Sequence, residues 1–414
     1  MSSFARGRSA ASVYIVLQGA WALLWAIAFT LSLVYQVEVA GLTPLQLVLV
    51  GTVLEATCFL GEIPTGVVAD LYSRKWSVVI GLTMIGVGIL IVGLLPYFWP
   101  IVIAQVVWGL GYTFVSGAAE AWVTDELSPG PVQPAFTRAH QLGLVMGIVG
   151  ILISGLLGSF SLQTPIVVGG AGFVLLALLM AVAMRERRFT PIPRAERDSW
   201  SHVKTTTIEG VRAARKPGVV RSFLIIALLA GLTSEVFDRL WVERVVNDLG
   251  LPSIAGVTDT AVWFTIFALI SSLLSLVASL AANRLAPTAV NAEHPTRLMA
   301  LLVLVQVAGV ATFAVSGNLW LALSGRWARD ASLSVGHPIQ QAWLNRHVTS
   351  KARATTLSMM GQADAVGQVA GGPALGALAN VAGVSLALVV SSVVHAPAAV
   401  IYARLRPGRG DQRN

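Results

Sequence analysis

The sequence predicts an all-α membrane protein of twelve transmembrane helices arranged as two pseudo-symmetric six-helix bundles. Three observations carry that expectation. Of 414 residues, 55% are hydrophobic and only 12% charged, about half the roughly 25% charge of a soluble domain. Twelve apolar stretches each approach the ~20 residues that span a bilayer. The one long polar segment, 185–219, divides the chain into an N-terminal bundle (1–184), a linker and a C-terminal bundle (220–414).

The stretches lie near 13–36, 44–69, 76–96, 98–124, 137–160, 165–184, 220–247, 260–283, 297–317, 319–345, 354–379 and 384–403. They must be helices, because lipid offers free backbone groups no partner. They are also far longer than the ~10-residue alternating strands of a barrel. The first follows "MSSFARGRSAAS", whose apolar run is too long for a signal peptide and lacks a convincing cleavage site.

Within the second stretch, Glu55 and Glu62 are seven residues apart and share a helix face. Glu55 lies roughly 17 Å along the helix at 1.5 Å per residue, near mid-membrane. Gly61 and Gly66 permit close packing on a neighbour. A short turn then holds Asp70, Arg74 and Lys75, and Asp70 is expected to cap the next helix or pair with a cation. The "PYFWP" after the third stretch reads as an interfacial aromatic pair, Tyr97 and Trp99. The fourth carries Gln105, Gly109 and Gly111 and ends at Asp125 and Glu126; the fifth is glycine-rich, as is "GQVAGGPALG" (367–376) in the eleventh. Helix packing accounts for both glycine runs.

The linker section "DSWSHVKTTTIEGVRAARK" spaces Trp200, Val203, Ile208 and Val211 at helical intervals among cations, as in an amphipathic surface helix. The seventh stretch contains Glu235 and Arg239, four apart, with Asp238 beside them. The tenth contains Arg326 and Asp330, also four apart, with Arg329 adjacent; Asp364 lies in the eleventh. Ionisable groups inside spanning segments are costly and mark function. By residue count Glu55, Asp330 and Asp364 share a depth, with Glu235 slightly further out. Glu55, Glu62, Glu235 and Asp364 are the candidates for proton binding, a role requiring a carboxylate to move between desolvated and cation-paired surroundings. Asp330 and Asp238 are expected to neutralise Arg326, Arg329 and Arg239; the arginines are also substrate-binding candidates. His337 and His395, near prolines, read as hydrogen-bonded packing residues. Trp21, Trp25, Trp108, Trp122, Trp241 and Trp263, with Met146, Met359 and Met360, suit an apolar, aromatic cavity for amphipathic or cationic organic compounds.

The net charge of +8 does not point to nucleic acid. Of the 28 Lys and Arg, 24 fall at the two termini, the linker and the loops on their side of the membrane. The positive-inside rule makes that side cytoplasmic, in a multi-pass protein of the cell membrane. Cys58 is alone, so no disulfide framework exists. The sequence has no Gly-x-x-x-x-Gly-Lys phosphate loop, His-Glu-x-x-His or Cys/His cluster. Its short loops leave no room for a catalytic domain. We expect no enzyme activity, no metal and no cofactor, and a monomer.

The halves echo each other. "EAWVTDEL" (120–127) parallels "QAWLNRHV" (341–348), "VVADL" (67–71) parallels "LAANRL" (280–285), and "GLTP" (41–44) parallels "LGLP" (249–252), all in the same order. Duplicated bundles place a substrate cavity between them.

The spacing Gly66-x-x-x-Asp70-x-x-x-Arg74-Lys75 resembles the signature loop of the major facilitator superfamily, as do the 6+6 division and basic linker. Leu71 stands where the family usually has a cation, and Ser73 where it has glycine. The resemblance implies a cytoplasmic gate of Gly66, Asp70, Arg74, Lys75 and Asp125, locking the outward-facing state. It further implies a secondary transporter similar to bacterial drug:proton antiporters, exporting drug-like molecules by alternating access. Gln105 replaces the arginine that many proton-coupled members carry four residues before the Gly109-x-Gly111 pair, and the fifth stretch lacks the exporters' proline. Two alternatives stay open: a proton-coupled symporter importing a metabolite, with Arg326 and Arg329 binding its carboxylate, and a polytopic membrane enzyme or non-transporting sensor.

Overall fold

Apolar runs that cannot hydrogen-bond to lipid satisfy their backbone internally, and helices dominate the fold. The computed structural model describes residues 2–190, 219–254, 256–292, 295–347 and 350–405. The first half contains α1 (Ser2–Phe29), α2 (Ser32–Glu38), α3 (Pro44–Leu71), α4 (Arg74–Leu94), α5 (Phe98–Val115), α6 (Ala118–Leu127), α7 (Gln133–Gly158) and α8 (Gln163–Ala183). The second contains α9 (Val219–Arg244), extended by a π-helical turn over Val245–Leu249, then α10 (Thr260–Leu285), α11 (Pro287–Val290) and α12 (Thr296–Val315). It ends with α13 (Leu319–His347), α14 (Ser350–Ala382), α15 (Val384–His395) and α16 (Pro397–Arg404). The section expected to form an amphipathic surface helix lies outside the described residues.

Helix starts follow local sequence. Before α3, the Thr43 N–H donates to Gln46 Oε1 at 2.9 Å and the Gln46 N–H to Thr43 Oγ1 at 3.3 Å, a reciprocal capping box with Pro44 at the first helical position. Asp259 caps α10 and Asn318 caps α13 in similar fashion. The fourth stretch is not one helix. Gly117 takes φ +75°, where a side chain would be strained, and separates α6 from α5. The twelfth breaks before Pro397, which has no N–H to continue the ladder.

Ten spans among the described residues are long and apolar enough to cross a membrane. The sequence led us to expect twelve. The two others, α13 and α14, have 29 and 33 residues and are long enough. They fall short in apolarity because they hold Arg326, Arg329, Asp330, His337 and Asp364, with many small polar residues.

The chain divides into two compact units. Unit 1 comprises 1–42, 53–199 and 253–269; unit 2 comprises 43–52, 200–252 and 270–414. The start of α3 therefore belongs with unit 2, and the start of α10 with unit 1. Packing repeats between the halves: α1 pairs with α7 as α9 pairs with α14, and α4 pairs with α5 and α8 as α12 pairs with α13 and α15–α16. Glycines permit the closest of these contacts. A Cβ on Gly150 would lie 2.5 Å from the Leu23 carbonyl, and one on Gly367 2.5 Å from the Leu228 carbonyl. The echoing Trp122 and Trp343 are each 2% exposed.

Corresponding helix ends are capped by different chemistry. In unit 1 the Gly93 carbonyl, at the end of α4, accepts from Tyr35 Oη at 2.9 Å and Gln163 Nε2 at 2.8 Å. In unit 2, buried Arg244 donates to the Phe313 and Ser316 carbonyls at the end of α12, each at 3.0 Å.

Candidate functional site

The α3–α4 turn of unit 1 is organised around Arg74. Ser73, at the position of the family's usual glycine, is the N-cap of α4 and accepts from the Trp76 N–H at 3.1 Å. Asp70 is not the cap. It sits in the last turn of α3, with Oδ1 3.5 Å from Arg74 Nη2. Arg74 Nη1 bonds the Asp125 carboxylate and donates to the Ala121 carbonyl at 3.0 Å, tying the turn to α6. Lys75 contributes its backbone here and extends its ammonium over the Trp76 ring at 5.4 Å. Close packing by Gly66 is not seen, since a Cβ there would meet nothing within 4 Å; Gly61 provides it, against Leu110 and Thr113.

Two acids outside the expected gate, Glu186 and Glu126, complete this cluster. Glu186, just past α8, accepts from Ser73 Oγ at 2.5 Å and from the Arg74 and Lys75 N–H groups at 2.7 and 3.2 Å. A carboxylate on a helix N-terminus satisfies orphan donors and complements the helix dipole. Glu126 accepts from the Arg187 and Arg188 N–H groups at 2.6 and 3.0 Å, and Trp122 Nε1 donates to the Arg185 carbonyl at 3.2 Å. Residues 185–188 are thus strapped to the turn. The signal in the sequence is a lone acid in "MRERRF", set among the cations that open the basic linker.

Unit 1 also gathers acids beside aromatics. Glu55, Glu62 and Glu120 lie within electrostatic range of Tyr112; Glu120 is a third addition to the expected set. Tyr112 meets Trp21, centroids 6.3 Å apart, and Trp21 stacks on Trp25 at 5.9 Å. Trp108 joins edge-on to Trp25 at 5.6 Å. Gln105 accepts from Trp108 Nε1 at 2.9 Å, so it serves packing at the family's arginine position. Of the other expected cavity tryptophans, Trp122 and Trp263 are buried in packing. Trp241 lies under Arg326, 3.8 Å from the guanidinium carbon to the ring centroid.

In unit 2 the ion pairs differ from those expected. Arg239 Nε bonds Glu235 Oε1 at 2.7 Å, while Asp238 turns to Arg329, Oδ1 to Nη1 at 3.0 Å. Helix geometry favours the Glu235–Arg239 pair, because residues four apart share a face. Glu235 is buried, and a Cβ on Gly51 in α3 would collide with it. Asp330 pairs as expected with the tenth stretch's arginines, Oδ1 to Arg329 Nη1 at 3.3 Å and Oδ2 to Arg326 Nη2 at 3.7 Å. It also accepts from Ser271 Oγ at 2.8 Å. Asp364 is held separately and accepts from Gln368 Nε2 at 2.7 Å. The structure therefore brings Asp238, Arg326, Arg329 and Asp330 together. Glu55 and Glu62 belong to unit 1, and Glu235 and Asp364 to unit 2. Among the described residues no group of three or more His, Cys, Asp or Glu is arranged to hold a metal ion.

Paired helical repeats with charged networks inside spanning helices define a membrane transporter. The profile of the Major Facilitator Superfamily matches residues 10–325, and the chain belongs to that superfamily. It is a multi-pass membrane protein and a secondary transporter of small molecules, not an enzyme. It is 22% identical over 354 residues to an uncharacterized MFS-type transporter, YxaM, from Bacillus subtilis (strain 168), with 84% of each chain covered. Its fold is similar to the nucleoside transporter NupG, with TM-score 0.73, 14% identity, and 95% of this chain and 98% of that one covered. A bacterial homologue of the human lysosomal transporter Spinster matches with TM-score 0.70 and 16% identity over 95% and 96%. The peptide transporter POT in complex with sulfate matches with TM-score 0.72 and 12% identity over 96% and 93%. At such identities the likeness concerns the fold alone.

Proposed function

We propose that this transporter exports amphipathic organic cations in exchange for protons, by alternating access. The observation that carries this reading lies in unit 1, where Tyr112 is within electrostatic range of Glu55, Glu62 and Glu120 and meets Trp21, which in turn stacks on Trp25. Aromatic faces attract cations through their quadrupoles, by about 0.5–2 kcal/mol each depending on desolvation, and the carboxylates supply opposite charge. Substrate cation and proton compete for these acids, which couples their movements. Glu235 and Asp364 are the second set of coupling acids, and Asp70, Arg74, Lys75 and Asp125, joined by Glu186, form the gate. The 24 cations on one side of the membrane support a cytoplasmic location for that gate and both termini. Import of a carboxylate-bearing metabolite is less well supported, because Arg326 and Arg329 are already engaged by Asp330 and Asp238.

The test uses ethidium and tetraphenylphosphonium as probes. Expression in a pump-deleted host should lower their potency, and proteoliposomes with an imposed pH gradient should move ethidium against its own gradient. Glu55→Gln and Trp21→Ala should each reduce that flux about tenfold or more. Unchanged potency for both probes, together with inward movement of a carboxylate accompanied by protons, would overturn the export reading.

A further inference from the structure

Two cavities lie wholly within unit 2. The larger, about 360 Å³, is lined by Gln306 of α12, His337 and Gln340 of α13, Asp364 of α14 and His395 of α15, among apolar neighbours. The smaller, about 60 Å³, is lined by Ser234 of α9, Arg329 of α13, Ser392 of α15 and again Gln306 and His395. Ala230, Gln306, Leu333 and His395 line both, so the two cavities share a wall. Asp364 stands at one end of the pair and Arg329, with Asp238 and Asp330, at the other.

His395 occupies the junction, and its environment departs from the packing role expected of it. Its Nδ1 is buried with no hydrogen-bond partner, and the Leu229 backbone is the hydrogen-bonding group nearest the ring on α9. A cavity of 360 Å³ has room for about ten waters at ~30 Å³ each, and the smaller for about two. Waters persist only where polar groups hold them, and both cavities carry such groups among apolar neighbours, with Gln306 and His395 at the shared wall. Imidazole can accept a proton at one nitrogen and release one from the other, which makes it a relay between water chains.

We propose that the two cavities form one hydrated proton route inside unit 2, with His395 passing protons between Asp364 and the Asp238–Arg329–Asp330 network. This rests on the proton-coupled reading above. A proton entering the larger cavity binds the Asp364 carboxylate, crosses through water to His395, and leaves the imidazolium for the carboxylate of Asp330 or Asp238. The one proton that enters ends on that carboxylate, and Asp364 and His395 return to their starting forms. The groups that line these cavities with His395 are Arg329 and His337 of α13, Asp364 of α14, Gln306 of α12 and Tyr402 of α16; Asp238 of α9 is reached through its pair with Arg329. Asp364 is faced by His337 and Asp238 and by Gln368 of its own helix. Protonating Asp330 or Asp238 frees Arg329 from that partner, so arrival of the proton alters the pairing between α9 and α13.

The experiment uses the purified full chain and no transport substrate. Stopped-flow pH jumps with a dissolved pH indicator read the rate of proton uptake, and infrared difference spectra read the protonated carboxyl band of Asp364, identified by its loss in Asp364→Asn. X-ray radiolytic labelling reads water beside Leu333 and Met360. The expected result is labelling at both residues in the wild type and uptake slowed tenfold or more in His395→Phe, with the Asp364 band retained. Leu333→Phe, which narrows the shared wall without removing a titratable group, should slow uptake similarly and keeps the proposal testable if the His395 variant fails to fold. Absence of label at Leu333, or uptake at the wild-type rate in both variants, would overturn the route. Ethidium exchange for protons is measured in parallel: its absence in the wild type refutes the coupling reading alone, while wild-type exchange with fast uptake in both variants refutes the route alone.

Discussion

Replacing Arg244 with methionine is expected to destabilise unit 2 severely. The guanidinium is 6% exposed and donates to two carbonyls at 3.0 Å and to Ser385 Oγ, joining the ends of α9, α12 and α15. Hydrogen bonds to a charged donor contribute about 1.5–3 kcal/mol each, and removing the donor leaves two helix-terminal carbonyls without it. Its ion pair with Asp248 at 3.1 Å adds little, because Asp248 is 49% exposed and solvent screens it. The carbonyl contacts alone amount to about 3–6 kcal/mol, which for a unit of this size lowers Tm by about 6–24 °C. Thermal unfolding in detergent, followed by fluorescence-detected gel filtration, measures the shift. Arg244→Lys should recover only part, since a point charge lacks the fork that reaches two carbonyls and a hydroxyl. Asp248→Asn should stay within about 2 °C of the wild type, as a mostly solvated pair allows. A methionine variant melting within about 2 °C of wild type would show that the α12 terminus is satisfied without Arg244, and the reasoning would be refuted.

Other expected outcomes concern the gate and the repeat. Glu186→Gln keeps the shape of the strap but weakens three hydrogen bonds to the start of α4; amide hydrogen exchange at Arg74 and Lys75 should accelerate about tenfold, equivalent to ~1.4 kcal/mol. An unchanged exchange rate would reduce Glu186 to a bystander. Gly231→Leu should abolish folded protein in gel filtration, because even a Cβ there collides with the Asp364 backbone carbonyl. Gly147→Ala is the matched control: its Cβ would meet nothing within 4 Å, so near-wild-type yield and melting are expected. Equal behaviour of these two glycine variants would contradict the close packing assigned to Gly231.

Much of the architecture was legible in the residues themselves. Bilayer physics forces long apolar runs into helices, and the capping box at Thr43–Gln46 marks where one begins. The position of the polar linker and the order of the echoes exposed the duplication, since a repeated fold must bury equivalent residues, as Trp122 and Trp343 do. The Gly66–Lys75 spacing identified the superfamily because the loop is short and its charges stand at fixed intervals. Membrane helices bear few charges, so Glu55, Glu235, Arg326, Arg329, Asp330 and Asp364 could be named from sequence alone.

Partnership was decided only by the tertiary structure. Sequence distance put Asp238 beside Arg239, but helical rotation gave Arg239 to Glu235 and sent Asp238 across to Arg329 on another helix. Glu186 reads as part of a basic linker until the chain brings it back to the start of α4, more than a hundred residues away in sequence. His395 reads as a packing residue until two cavities open on either side of it. The sequence alone determined which charges enter the membrane, because their desolvation cost is a property of each residue. Which of them meet depends on helix rotation and packing, and those follow from contacts along the whole length of neighbouring helices.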